Sequence, residues 1–329
     1  MHTSRARLFT LLACFSFSAT TVDAQATATA SAQRAVLVTG ASSGIGRRIT
    51  EKLASQGYFV YAGARAKADI DALNTIANVQ AMRLDITSST DIAAAVATVT
   101  KAGRGLHGVV NNAGVVVVAP LIELEEKDFD YIFDVNIKGM YRVTKAFAPL
   151  LIESKGRVVS ISSLNGIVAS PMIGAYSMTK HATEAFGDIL AAELGRFSVR
   201  VSLIEPGNYG TEIGSNMLSR LDTSIVKGSR FEAQMRSTLN GMRSFANNPP
   251  PDDVADAVLD ALSSATPKSR YLVVPAQNQA ALTIRRAIDI MVELNESHKF
   301  SYDRDALVRM LDSSLARSSA RAAARTSGK

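Results

Sequence analysis

The chain has 329 residues, 47% hydrophobic and 20% charged, with 36 Lys and Arg against 30 Asp and Glu for a net charge of +6. That length and apolar content allow a large core, and no basic patch with interleaved aromatics marks a nucleic-acid surface. The single cysteine, Cys14, sits in a leader-like N-terminus, so the remainder has neither a disulfide nor a cysteine metal site.

His2, Arg5 and Arg7 precede a mostly apolar stretch from 8 to about 19, and Val22-Asp-Ala24 before Gln25 has the small-residue form of a cleavage site. Residues 1–24 therefore resemble a secretory signal peptide, with 25–33 as a linker. Cleavage would make the protein exported, periplasmic or secreted; without it the protein is cytoplasmic. A lipoprotein site at Leu11-Leu-Ala-Cys14 and an organellar transit segment are the alternatives. The apolar stretch is too short for a stable membrane span.

From residue 34 the pattern alternates. Ala35-Val-Leu-Val-Thr39 reads as a buried parallel strand, and 47–54 as an amphipathic helix. Between them lies Thr39-Gly40-Ala-Ser42-Ser43-Gly44-Ile45-Gly46, a glycine-rich strand-to-helix turn whose free N–H groups and positive helix end suit a pyrophosphate. Further strands are expected near 58–62, 79–84, 107–111, 156–161, 199–204 and 270–274, mostly with helices between. This predicts a doubly wound parallel sheet, a three-layer α/β/α Rossmann fold in one domain over 34–295. His107 and His181 have no metal-ligand partner at useful spacing and read as structural.

Tyr176-Ser-Met-Thr-Lys180 places a lysine one helical turn beyond a tyrosine, where an ammonium is expected to lower the phenol pKa toward the useful range. Ser163 upstream would add a hydroxyl donor to a substrate oxygen. Tyr141 and Lys145 repeat the spacing, but Asp128 stands where a serine would be needed, so they read as an ordinary helical pair.

These motifs, with Asn111-Asn112-Ala113-Gly114, Asn136 and Pro206-Gly207, resemble the classical short-chain dehydrogenase/reductase family over roughly residues 34 to 295. The resemblance implies an oxidoreductase moving a hydride between a nicotinamide and a secondary alcohol or ketone. Tyr176 would be the general acid/base and Ser163 the orienter of the substrate carbonyl. Lys180 would grip the nicotinamide ribose, and Asn136 would hold a relay water. Gly40, Ser42, Ser43, Gly44, Ile45, Gly46, Asn112, Ala113, Gly114, Pro206 and Gly207 would line the dinucleotide with Tyr176 and Lys180. Asp85 and Ile86 would flank the adenine, although an ordinary turn cap also explains Asp85. Ala64 stands where an acid would select NAD, and Arg65 follows it, which favours NADP over NAD.

Residues 208–250 are expected to cover the substrate. Their apolar set, Ile213, Met217, Leu218, Ile225, Phe231, Met235, Leu239, Met242 and Phe245, suits a lipophilic small molecule or packing on the body. Glu205-Pro-Gly-Asn-Tyr-Gly-Thr211 looks like the retinol, steroid and hydroxybutyrate dehydrogenase branch. The family implies a homodimer or homotetramer through helices at 125–153 and 174–195. Over 296–329 a C-terminal helix and a solvated basic tail are expected, with Arg317, Arg321, Arg325 and Lys329 at every fourth position. A dinucleotide-binding sensor without turnover is the reading from another class. An epimerase of the extended branch does not match the glycine spacing.

Overall fold

The structure is a computed structural model that describes residues 2, 33–212, 226–296 and 298–327. The leader and linker, apart from His2 and Gln33, and the apolar residues Ile213, Met217, Leu218 and Ile225 lie outside the described residues.

The apolar runs form strands β1 (Ala35–Val38), β2 (Phe59–Ala64), β3 (Val79–Arg83), β4 (Gly108–Asn111), β5 (Arg157–Ile161), β6 (Arg200–Pro206) and β7 (Arg270–Val273). They make one parallel seven-stranded sheet in the order β3-β2-β1-β4-β5-β6-β7, with Val36 level with Val60 on one side and Gly108 on the other. Among the described residues, helices α1 (Gly44–Ser55), α2 (Lys67–Leu73), α3 (Ser89–Ala102), α4 (Glu126–Phe133), α5 (Met140–Glu153) and α6 (Gly174–Leu194) connect the first six strands. Then come α7 (Glu232–Arg243), α8 (Asp252–Ser263), α9 (Gln277–Glu296) and α10 (Arg304–Ser327).

Alternate residues of a strand point to opposite faces, and β1 is buried on both. Val36 and Val38 pack with Ile49 and Leu53 of α1 and Val258 and Leu262 of α8. Ala35 and Leu37 pack with Ile92 and Val99 of α3 and Phe147 and Leu151 of α5. Helices thus cover both faces, as the alternation of strand and helix in the sequence predicts. The connection leaves β1 toward β2 on one side and β4 adjoins it on the other, so the strand order reverses there. A crevice opens at such a switch point, outside the carboxyl ends of the strands.

At the C-terminus, α10 runs to Ser327 and takes in the segment expected as a tail. Alanine, leucine and arginine are among the best helix formers, which accounts for the continuation. Its described side chains are mostly exposed, Leu311 and Leu315 included. No helix among the described residues is long and apolar enough to cross a membrane.

Candidate active site

The crevice at the switch point is a cavity of about 1050 Å³ that runs from the end of β2 across β1 and β4 to the start of α6. Each side chain or backbone group predicted for the site lines it, except Asn136, which lies just behind.

The floor is built by Thr39. Its hydroxyl donates to Val110 O (3.3 Å) and accepts from the backbone N–H of Asn112 (3.0 Å) and Ala113 (3.1 Å), stapling the end of β1 to the end of β4. Asn112 Nδ2 adds bonds to Thr39 O and Gly40 O, both at 3.0 Å. The glycine turn must then pass close over Ala113. Gly40 adopts φ +63°, and a Cβ on it would sit 2.8 Å from Ala113 Cα. A Cβ on Gly46 would fall onto Gly40 O and Asn112 Nδ2. The first turn of α1 therefore reaches the cavity through Gly44 and Gly46, with Ile45 between them, and its free N–H groups form the cradle a pyrophosphate needs. Asn111, next to it, is buried and donates to Thr144 Oγ1 (2.9 Å) and Ser160 Oγ (3.4 Å), fastening β4 to α5 and β5.

At the far end of the crevice, Ala64 and Arg65 close β2, and Asp69 of α2 lines the cavity beside them. Asp85 does two things there. Its Oδ1 accepts from Thr87 N (2.9 Å) and Thr87 Oγ1 (2.7 Å), a turn cap, while the residue also lines the cavity beside Ile86. Burial works against its carboxylate, but the Thr87 hydrogen bonds and the charges of Arg65 and Arg83 outweigh it and hold its pKa below the usual carboxylate range.

The reactive end is formed where β5 meets α6. Ser163 follows β5 in extended backbone, and its Oγ accepts from Asn165 N at 3.1 Å. Ser163 lines the cavity together with Tyr176, which stands in the first turn of α6. Lys180, one turn on, is buried, donates to Ile161 O at 2.8 Å and lies 5.5 Å from the Tyr176 ring centre. Lys145 lies at nearly the same distance, 5.6 Å, from the Tyr141 ring, yet Tyr141 is exposed and outside the cavity. Spacing makes the pair; the cavity separates the two.

One sequence expectation is corrected. The Tyr176 phenol is pushed up to about 12 rather than down, because burial outweighs the opposing influence of the Ser163 hydroxyl. Burial acts on the cation as well and brings Lys180 down to about 8, against the opposing pull of Glu184. Both groups are desolvated together, which shifts each toward its neutral form while Lys180 remains mainly an ammonium at neutral pH.

Asn136 sits in a π-helical turn, Asp134–Gly139, between α4 and α5. Its amide accepts from Val115 N (2.8 Å) and donates to Val115 O (2.9 Å) and Thr179 Oγ1 (3.0 Å), tying the cavity wall to α6. A small cavity of about 10 Å³ lies between Asn136, Lys180, Thr183 and Asn111. That is on the order of the room one water needs.

The cavity wall around the start of α6 mixes apolar residues with polar ones, Glu123, Asn165, Thr211 and Glu212 among them. Val116, Val118, Ile173, Tyr209, Met242 and Phe245 give it apolar surface. A backbone bridge between Ala119 and Ile173 aligns the two walls. Met235 and Leu239 point away from the cavity into a cluster with Val118 and Val226, so the covering segment both packs on the body and faces the site. Pro206 and Gly207 end β6 at the cavity, and Gln279 of α9 braces them by accepting from Asn208 N at 2.8 Å. Val116, Val118 and Gln279 carry no motif signal of their own; Thr39 was visible only as the residue before the first glycine, and Tyr209 only inside Glu205-Pro-Gly-Asn-Tyr-Gly-Thr211. His107 bonds Leu262 O and His181 bonds Ser177 O, both structural contacts.

The sequence matches the family model for short chain dehydrogenases over residues 34–222. It is 34% identical over 267 residues to the mitochondrial D-beta-hydroxybutyrate dehydrogenase of Rattus norvegicus, covering 74% of this chain and 78% of the relative. It is also 34% identical over 250 residues to retinol dehydrogenase 7 of Mus musculus, covering 72% and 79%. Among solved structures, actinorhodin polyketide ketoreductase with NADPH superposes with a TM-score of 0.62 at 27% identity, covering 73% of this chain and 95% of that one. With the nucleotide cradle and the alcohol end of the crevice in place, the chain belongs to the short-chain dehydrogenase family, oxidoreductases that move a hydride between a nicotinamide cofactor and an alcohol or ketone.

Proposed function

We propose that this protein is an NADP(H)-preferring dehydrogenase/reductase of lipophilic secondary alcohols and ketones, with Tyr176 carrying the proton. The observation that supports it most is the Tyr176 phenol, half-buried on the cavity wall that Ser163 shares and backed by Lys180. The nicotinamide, when bound, supplies or accepts the hydride. Tyr176 gives its proton to the carbonyl oxygen in reduction and takes it back in oxidation, and the Ser163 hydroxyl holds that oxygen. A phenol raised to about 12 remains protonated throughout the neutral range, which fits an acid for the reductive direction. Lys180 stands between Tyr176 and the small cavity beside Asn136, a route for the replacement proton through one water.

Arg65 supports the cofactor preference: a guanidinium after an uncharged strand end offers paired donors to a 2′-phosphate. Val116, Val118, Ile173, Met242 and Phe245 support a lipophilic substrate. Exposed Tyr141 on α5 and Met178 and Ile189 on α6 support a homodimer or homotetramer assembled through those helices.

Nicotinamide absorbance, followed with NADPH and with NADH across aliphatic, aromatic, steroid and retinoid carbonyls, tests this reading. Turnover faster with NADPH on an apolar carbonyl is expected. Silence with both cofactors across the panel would turn the reading toward a dinucleotide sensor.

A further inference from the structure

Behind the proton-transfer end lies a cluster that the hydride-transfer chemistry leaves unexplained. Glu184 follows Lys180 by one turn of α6, on the face that carries Tyr176 and Asp188, and is buried at 7% exposure. Glu205, near the end of β6, is buried at 4% and meets the same arginine nitrogen as Glu184. Arg270, opening β7, sets its Nε 3.0 Å from Glu184 Oε2 and 3.4 Å from Glu205 Oε1, and its Nη2 2.7 Å from Asp188 Oδ2.

Oε1 of Glu184 has no hydrogen-bond partner, and Oε1 of Glu205 has none beyond its 3.4 Å ion-pair contact with Arg270 Nε. Two ionised carboxylates cannot satisfy one another, because each only accepts. A single proton between them removes both the orphaned acceptor and the repulsion. It also balances the cluster, leaving Lys180 and Arg270 opposite one glutamate charge and Asp188. The other group facing this space is the buried hydroxyl of Ser162, in the turn after β5. Gly166 makes room for it: a Cβ there would sit 2.8 Å from both Glu184 Oε1 and Ser162 Oγ.

We propose that Glu184 and Glu205 share one proton under the clamp of Arg270, and that the charge remaining on Glu184 holds the buried Lys180 as an ammonium behind Tyr176. Glu184 is then a positioning residue, acting through Lys180 and touching neither substrate nor cofactor. The functional weight of the proposal rests on the reading of Tyr176 and Lys180 as the proton-transfer pair. Burial first and the Glu184 charge second raise Glu205 to about 7 against the opposing pull of Arg270, in keeping with a proton held near neutrality.

The test follows the alkaline limb of the kcat/KM pH profile beside a nitrogen-15 NMR titration of the Lys180 ammonium, both in the full chain. Removing a neighbouring anion makes a buried ammonium easier to deprotonate. Glu184→Gln should move the limb and the Lys180 titration to lower pH together, by roughly one unit or more. Glu205→Gln keeps a donor on Glu184, so it should move them less than half as far. Equal shifts from the two variants, or no shift of the Lys180 titration with Glu184→Gln, would overturn the proposal. A chain without turnover would sink the hydride-transfer reading while leaving the titration to decide the carboxylate pair. Should Glu184→Gln not fold, infrared spectroscopy of the unsubstituted protein decides: a buried protonated-carboxyl band is expected at neutral pH, lost in Glu205→Gln, and its absence would overturn the pair.

Discussion

The chemistry of this site depends on how far burial shifts two groups that are one helical turn apart. Tyr176 rises to about 12 and Lys180 falls to about 8, so desolvation outweighs the attraction that their spacing suggests. The sequence shows which residues are neighbours on a helix, because i and i+4 share a face. It does not show how dry that face is, since dryness comes from Ile161, Ser163 and the walls that fold over them. Glu184 and Glu205 illustrate the same gap: each lies near a motif, but only the sheet brings them together. The glycines of the turn were legible because their constraint is local. Arg65 is legible in the same way, and its substitution tests the cofactor reading at single-residue scale. Arg65→Glu should weaken NADPH binding by at least roughly tenfold relative to NADH, about 1.4 kcal/mol, as a charge-assisted contact to phosphate becomes a repulsion. Titration of both cofactors by fluorescence would check it, and equal weakening would reject the phosphate contact.

Among the elements, the strands were the easiest to read, since parallel strands buried on both faces are continuous apolar runs. The covering segment was harder, because its apolar residues serve two surfaces. On α7, Met235 and Leu239 are buried in the cluster with Val118, while Met242 packs against that cluster and, with the following Phe245, lines the cavity. Helical periodicity places these residues but does not say which side holds substrate. The two faces should respond differently. Leu239→Ala should cost about 2–5 kcal/mol of stability, read in denaturant unfolding, by leaving a cavity against Val118. Phe245→Ala should instead raise KM for an apolar ketone roughly tenfold by removing a wall of the pocket. A stability loss from both with no change in KM would place Phe245 in the packing alone. The π-helical turn at Asn136 had no sequence signature either; the irregularity is where the Asn136 amide meets Val115 and Thr179.

For the molecule as a whole, the reversal of strand order at β1 and β4 sets the glycine turn after β1 and Tyr176 at the start of α6 along one crevice. The alternation of strands and helices made that architecture legible, and the order of the motifs along the chain matched it. The central claim is that Tyr176 carries the proton. Its most direct test is steady-state turnover of Tyr176→Phe with NADPH and an active ketone, measured beside cofactor binding. Turnover should fall roughly 10²- to 10⁴-fold, the range a positioned general acid supplies, while NADPH affinity is retained. A variant that kept most of its rate with cofactor bound would contradict the account.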